Sequence, residues 1–118
     1  MNTPPQIEEA IELAKSGNYM HAIEKFNEII KEYPNHWRAY NGRGLCRSDM
    51  ENFDGAFADF HKAIELSPDN VIVLMNLADH YLGRGRHKDA LEKFNLILQL
   101  DPSADRFISR GNCFNSIK

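Results

Sequence analysis

The sequence predicts an all-α fold in which one antiparallel helix pair recurs along the chain. Prolines stand at Pro34, Pro68 and Pro102, 34 residues apart. Each is preceded twelve residues earlier by an alanine (Ala22, Ala56, Ala90) and eight residues earlier by a phenylalanine (Phe26, Phe60, Phe94). Between these markers the apolar residues recur in steps of three and four, as at Phe53, Ala56, Phe57, Phe60, Ala63 and Ile64, which places them on one helix face. A fixed period of this length marks a repeat array, and an apolar face that wide must be buried against a neighbour.

Each element has its own signals. Thr3 as N-cap, a proline in the first turn and Gln6 closing a capping box start the first helix almost at the N-terminus. Its stripe is Ile7, Ala10, Ile11 and Ala14, and Gly17-Asn18 turns the chain. A helix from about Tyr19 to Glu32 follows, with Tyr19, Ala22, Ile23, Phe26, Ile29 and Ile30 inward. Pro34-Asn35 ends it, and Asn35 is expected to cap the next, which carries Trp37, Tyr40, Gly44, Leu45 and Cys46 to about Met50. Asn52 caps its partner, Phe53 to Leu66, and Asp69 or Asn70 caps a fifth helix holding Leu74, Leu77, Ala78, Tyr81 and Leu82. Gly83-Arg84-Gly85-Arg86 is the most flexible turn, and the sixth helix runs to Leu100 with Leu91, Phe94, Ile97 and Leu98 inward. After Pro102, Ser103 is expected to cap a seventh helix with Phe107, Cys113 and Phe114, a first half-unit whose polar residues Asn112, Asn115, Ser116 and Lys118 partly cap the array. The expected organisation is a single domain over 1–118: repeats at about 3–36, 37–70 and 71–104, then a capping or half-repeat helix at about 104–117.

The period and these columns resemble the tetratricopeptide repeat, whose helix-turn-helix units stack into a right-handed superhelical solenoid. Its small first-helix residue is matched by Ala10, Gly44 and Ala78, where the two helices of a unit approach closely. Its aromatic opening the second helix is matched by Tyr19 and Phe53, while His87 departs. Its turn glycine is matched by Gly17 and Gly85, while Glu51 departs.

The resemblance implies a concave groove lined by the first helices, in which a protein-binding adaptor, scaffold or co-chaperone holds a peptide or helix of a partner. Ile7 and Ile11 would line it in the first unit, and Arg38, Asn41, Leu45 and Ser48 in the second. The third unit would add Ile72, Met75, Asn76 and Asp79, and the last helix Arg106 and Arg110. Asn41 and Asn76 are the leading ligand contacts, since a carboxamide both donates to and accepts from a peptide backbone. The arginines would suit acidic ligand groups. Arg43 stands in a usually apolar column and is expected to bend back onto Asp59. Relatives that grip tails ending Glu-Glu-Val-Asp use a basic clamp, whose columns here hold Ile7, Ile11, Gly42, Ile72 and Asn76, so no such grip is expected. The competing readings are self-association, including a homodimer through the C-terminal helix, and a small cytosolic inhibitor or immunity-type protein acting with its whole surface.

Composition narrows the rest. At 118 residues and 42% hydrophobic content the chain suits one globular domain, and no apolar run approaches the roughly 20 residues of a membrane span. The first residues lack a basic-then-apolar leader, so a cytoplasmic protein, or one whose signal has been removed, is expected. Two cysteines make no disulfide framework, and Cys46 falls on a packed helix face as core filler. A net charge of −3 with mixed signs offers no footprint for nucleic acid. His61 and Glu65 lie four apart, and Asp79 adjoins His80, but no set of three or four ligands converges, so no metal is expected. No phosphate loop, nucleophile elbow or Cys–His arrangement points to catalysis or a cofactor.

Overall fold

In the computed structural model the described residues, 6–107, form six α-helices and a short 3-10 helix, with no strand among them. The helices are α1 (Gln6–Lys15), α2 (Tyr19–Glu32), α3 (Trp37–Asp49), α4 (Phe53–Leu66), α5 (Val71–Gly83) and α6 (His87–Leu100), and the 3-10 helix is Pro102–Phe107. They fall into two compact units, Met1–Pro68 and Asp69–Lys118.

The repeat period is visible in the backbone. Tyr33, Ser67 and Asp101 each precede a proline, whose ring disfavours helical dihedrals in the residue before it. All three leave the α region, at φ −129, −144 and −146, and each N–H still bonds back to close the helix before it. The turns inside each pair are built alike. Gly17, Glu51 and Gly85 adopt positive φ of 86, 64 and 79. The next residue in each case donates its N–H five residues back, Asn18 to Leu13, Asn52 to Arg47 and Arg86 to Tyr81, at 2.8, 2.7 and 2.9 Å. This is a Schellman end to each first helix. Glu51 thus departs from glycine in sequence while keeping the glycine conformation.

In the first unit α2 packs on α1 and α3, and α3 packs on α1 and α4. Ile7, Ala10, Ala22, Phe26, Ile29, Ala39 and Cys46 make its core, flanked by Ile11, Leu13 and Ile23. Gly44 marks the close approach expected of it: a Cβ there would lie 2.9 Å from Phe60 Cε1 and 3.1 Å from Asp59 Cβ. Gly42 is equally confined, because a Cβ would run into the Phe26 ring. In the second unit α5 pairs with α6, and the 3-10 helix packs on α6. Leu74, Leu77, Ala78, Ala90, Phe94 and Ile97 are buried there.

Asn52 and Asn70 cap as expected, Asn52 Oδ1 accepting from Gly55 N at 3.1 Å and Asn70 Oδ1 from Ile72 N at 3.0 Å and Val73 N at 3.3 Å. Two expected caps are replaced. Asn35 lies inside the turn closed by His36 N–H on Tyr33 O, so His36 becomes the N-cap of α3, without a side-chain cap bond. Asp101, not Ser103, organises the segment after α6: its Oδ1 accepts from Ser103 N at 3.1 Å and Ser103 Oγ at 2.6 Å. That carboxylate starts a 3-10 helix where an α-helix was expected. The Thr3 cap and the seventh helix beyond Phe107 lie outside the described residues.

Two stability predictions follow from this backbone. Gly44→Leu should overpack the α3–α4 contact and lower stability by about 1–3 kcal/mol or more in urea melts. Glu51→Gly should act oppositely, raising stability by roughly 1 kcal/mol through relief of a left-handed non-glycine residue. A neutral Gly44→Leu or a destabilising Glu51→Gly would contradict the geometry just given.

Candidate functional site

In the first unit Leu45 is 41% exposed on α3, and Ile11 of α1 and Arg38 of α3 are half-buried. Two expected lining residues lie inside instead. Ile7 is fully buried in the core, and Asn41 is only 7% exposed. The reason is coverage: α3 has α1, α2 and α4 packed around it, which takes more of its circumference from solvent than an open groove wall would lose. Asn41 is therefore a buried polar residue rather than a surface carboxamide.

The cations of α3 have internal partners. Arg38 Nη2 stands 3.6 Å from Glu8 Oε1 of α1, an exposed pair that contributes little energy but offsets the charge expected to meet a ligand. Arg43 forms the expected ion pair, bidentate on Asp59: Nε to Oδ2 at 3.0 Å and Nη2 to Oδ1 at 2.7 Å. Arg43 Nη1 also donates to Asn27 Oδ1 at 2.8 Å, and Arg47 Nη1 donates to Asp59 Oδ2 at 3.0 Å. Arg47 was not anticipated, although its spacing of four from Arg43 puts both guanidinium groups on one helix face. Asp59, at 3% exposed, thus receives three charge-assisted bonds, the arrangement a buried carboxylate requires.

In the second unit α5 presents Ile72, 60% exposed, Met75 and Asn76, half-buried, and Asp79, exposed. These positions follow steps of three, one and three, so they share one face. Val73, Leu74, Leu77 and Tyr81 are buried. Partial desolvation raises the Asp79 carboxyl above the usual carboxylate range. The side chain of Arg106 and all of Arg110 lie outside what the structure describes.

Among the described residues no three His, Cys, Asp or Glu side chains stand together to hold a metal. Burial pushes the Cys46 thiol up to about 11, with Asp49 adding to the shift, so it remains a thiol filling the core. His61 is exposed, as its column with Asn27 and Asn95 suggested.

Two histidines carry a pH signature. Burial first, then the Arg84 charge, lowers the pKa of His80, and burial first, then Arg38, lowers that of His36. The unfolded chain therefore takes up protons at these sites before the fold does. Their contribution to stability is intact above an unfolded pKa of about 6.5 and is lost as pH falls toward the lower folded values. Urea midpoints should decline below about pH 6.5, and His80→Gln should flatten part of that slope. A midpoint that rises on acidification through this window would contradict the assignment.

Comparison with known proteins sets these faces in context. The sequence profile described as tetratricopeptide repeat matches residues 7–47 and 47–105. Human sperm-associated antigen 1 is 31% identical over 91 residues, 77% of this chain and 10% of that protein. The chain spans about a tenth of the length of the sperm-associated antigen relatives it matches. Among solved structures, the first tetratricopeptide domain of Spaghetti (RPAP3) bound to the HSP90 peptide SRMEEVD superposes with a TM-score of 0.87 at 15% identity, covering 95% of this chain and 90% of that one. The Yersinia enterocolitica type III secretion chaperone SycD, in complex with a peptide of the translocator YopD, gives 0.78 at 18% identity, covering 94% and 86%.

Proposed function

Because the chain belongs to the tetratricopeptide repeat family, we propose that it is a protein-interaction module of adaptor or co-chaperone type, holding a peptide or helix of a partner on its first helices. The observation that carries this reading is the exposure of Leu45 on α3 and Ile72 on α5, large apolar side chains on the helices the repeat frame assigns to a ligand, although Met20 on α2 is as exposed at 62%. Exposed apolar side chains beside polar ones are the usual make-up of a recognition surface. The peptides held by the SycD and Spaghetti structures support the same reading. In the first unit Ile11 and Arg38 join Leu45 in the proposed contacts, and in the second unit Met75, Asn76 and Asp79 join Ile72, while Ile7 and Asn41 are buried. A cytoplasmic setting belongs to the proposal. No described helix is long and apolar enough to cross a membrane.

The ligand is not expected to be the HSP90 tail. At the columns the resemblance assigns to that clamp, this chain has the buried Ile7, the half-buried Ile11, Gly42 against Phe26, the exposed Ile72 and the half-buried Asn76. None of these is a cation that could pair with a carboxylate.

Capture of partners by the full chain, identified by mass spectrometry and followed by amide exchange, tests the proposal. Protection should fall on α3 and α5. Protection confined to α2 and α4 would replace the groove reading with the whole-surface inhibitor. Titration with SRMEEVD should give no saturable response, and micromolar binding would show that the lining residues are misassigned.

A further inference from the structure

We infer that the α5 face of the second unit selects a basic amphipathic segment, seating an apolar side chain on Ile72 and Met75 and bringing a lysine or arginine to Asp79. This deepens the proposed function and rests on its assignment of the first helices to ligand binding.

The sequence alone favoured an acidic ligand, because arginines stood at the expected lining positions. Of those arginines, Arg38 is the one whose side chain the structure describes, and it has an acidic neighbour. Arg38 faces Glu8, and Arg43 and Arg47 are both committed to Asp59. Asp79, in contrast, has no hydrogen bond or ion pair among the described residues. It is the acidic residue of α5, and the exposed Ile72 lies on the same face seven residues earlier. A carboxylate exposed on a partly apolar face without a cation beside it is open to one supplied by a partner. The raised Asp79 carboxyl is consistent with that setting.

Geometry fixes the spacing of the ligand. Seven residues of helix separate Ile72 from Asp79 by about 10 Å along the axis. A helix lying along α5 matches this with its own apolar and cationic residues seven apart, which is two turns and one face. The partner's formal charge would then oppose the net −3 of this chain, favouring rapid encounter at low salt.

Two synthetic helical peptides test this, identical except that the residue seven positions from a leucine is lysine in one and glutamate in the other. Each is titrated into the full, isotope-labelled chain and followed by amide and carboxyl resonances. The lysine peptide should shift the amides of Ile72–Asp79 saturably, lower the Asp79 titration midpoint and weaken with added salt. Asp79→Asn should weaken it about three- to fivefold, the range of an ion pair at the favourable end of surface values, with an unchanged melting transition. If both peptides shift α3 and α5 equally, the charge selectivity is overturned while first-helix binding stands. If neither perturbs α3 or α5, or only α2, α4 and α6 respond, both readings fall. An Asp79 carboxyl that titrates below the ordinary range in the free chain, as an internal cation would cause, also overturns the inference.

Discussion

Close approach of the two helices in a repeat is the constraint on which the other features depend. A phenylalanine on each second helix is buried, Phe26, Phe60 and Phe94 being at most 1% exposed. In the middle repeat it leaves room opposite for a glycine and nothing larger, since a Cβ at Gly44 would fall within 2.9 Å of the Phe60 ring. The Phe26 ring likewise meets Gly42, one repeat further along the same unit. A single aromatic column therefore fixes the spacing within the middle pair and between the first two pairs. Such contacts leave little slack, because protein interiors are packed like crystals and a single methyl is felt.

The same closeness explains a polar feature that composition would not suggest. Arg43 takes a position usually filled by an apolar side chain, and Asp59 lies beneath it at 3% exposure. Burying either charge by itself would cost several kcal/mol. Together with Arg47 and Asn27 they form a network spanning α2, α3 and α4, in which each oxygen of Asp59 accepts at 3.0 Å or less. The network also ties up two arginines of α3. In the first unit Arg38, Arg43 and Arg47 thus have acidic partners, while Asp79 on α5 stands exposed. A count of charges shows neither.

Interaction surfaces in such a protein are what remains after the helices have covered one another. Leu45 on α3 and Ile72 on α5 stay exposed, as does Met20 on α2, while Leu74, Leu77 and Cys46 are buried. Substitution on those faces leaves the core intact, so one scaffold can take many ligands, and membership of the family does not by itself specify the partner.

By itself the sequence determined the helical period, the helix pairs, the proline-terminated second helices, the columns of small and aromatic residues, the Asn52 cap and the Arg43–Asp59 pair. These follow from local rules: proline restricts the residue before it, apolar spacing selects a face, and a charge in an apolar column needs a nearby partner. Only the tertiary structure decided that Ile7 and Asn41 lie beneath the surface, that Arg38 meets Glu8, and that Arg47 joins Arg43 on Asp59. It also decided that His36 rather than Asn35 opens α3, and that Asp101 starts a 3-10 helix where Ser103 was expected to start an α-helix. The reason is the same in each surface case. A residue's helix face can be read from spacing, but how much of that face a neighbouring helix covers depends on packing between segments far apart in the chain.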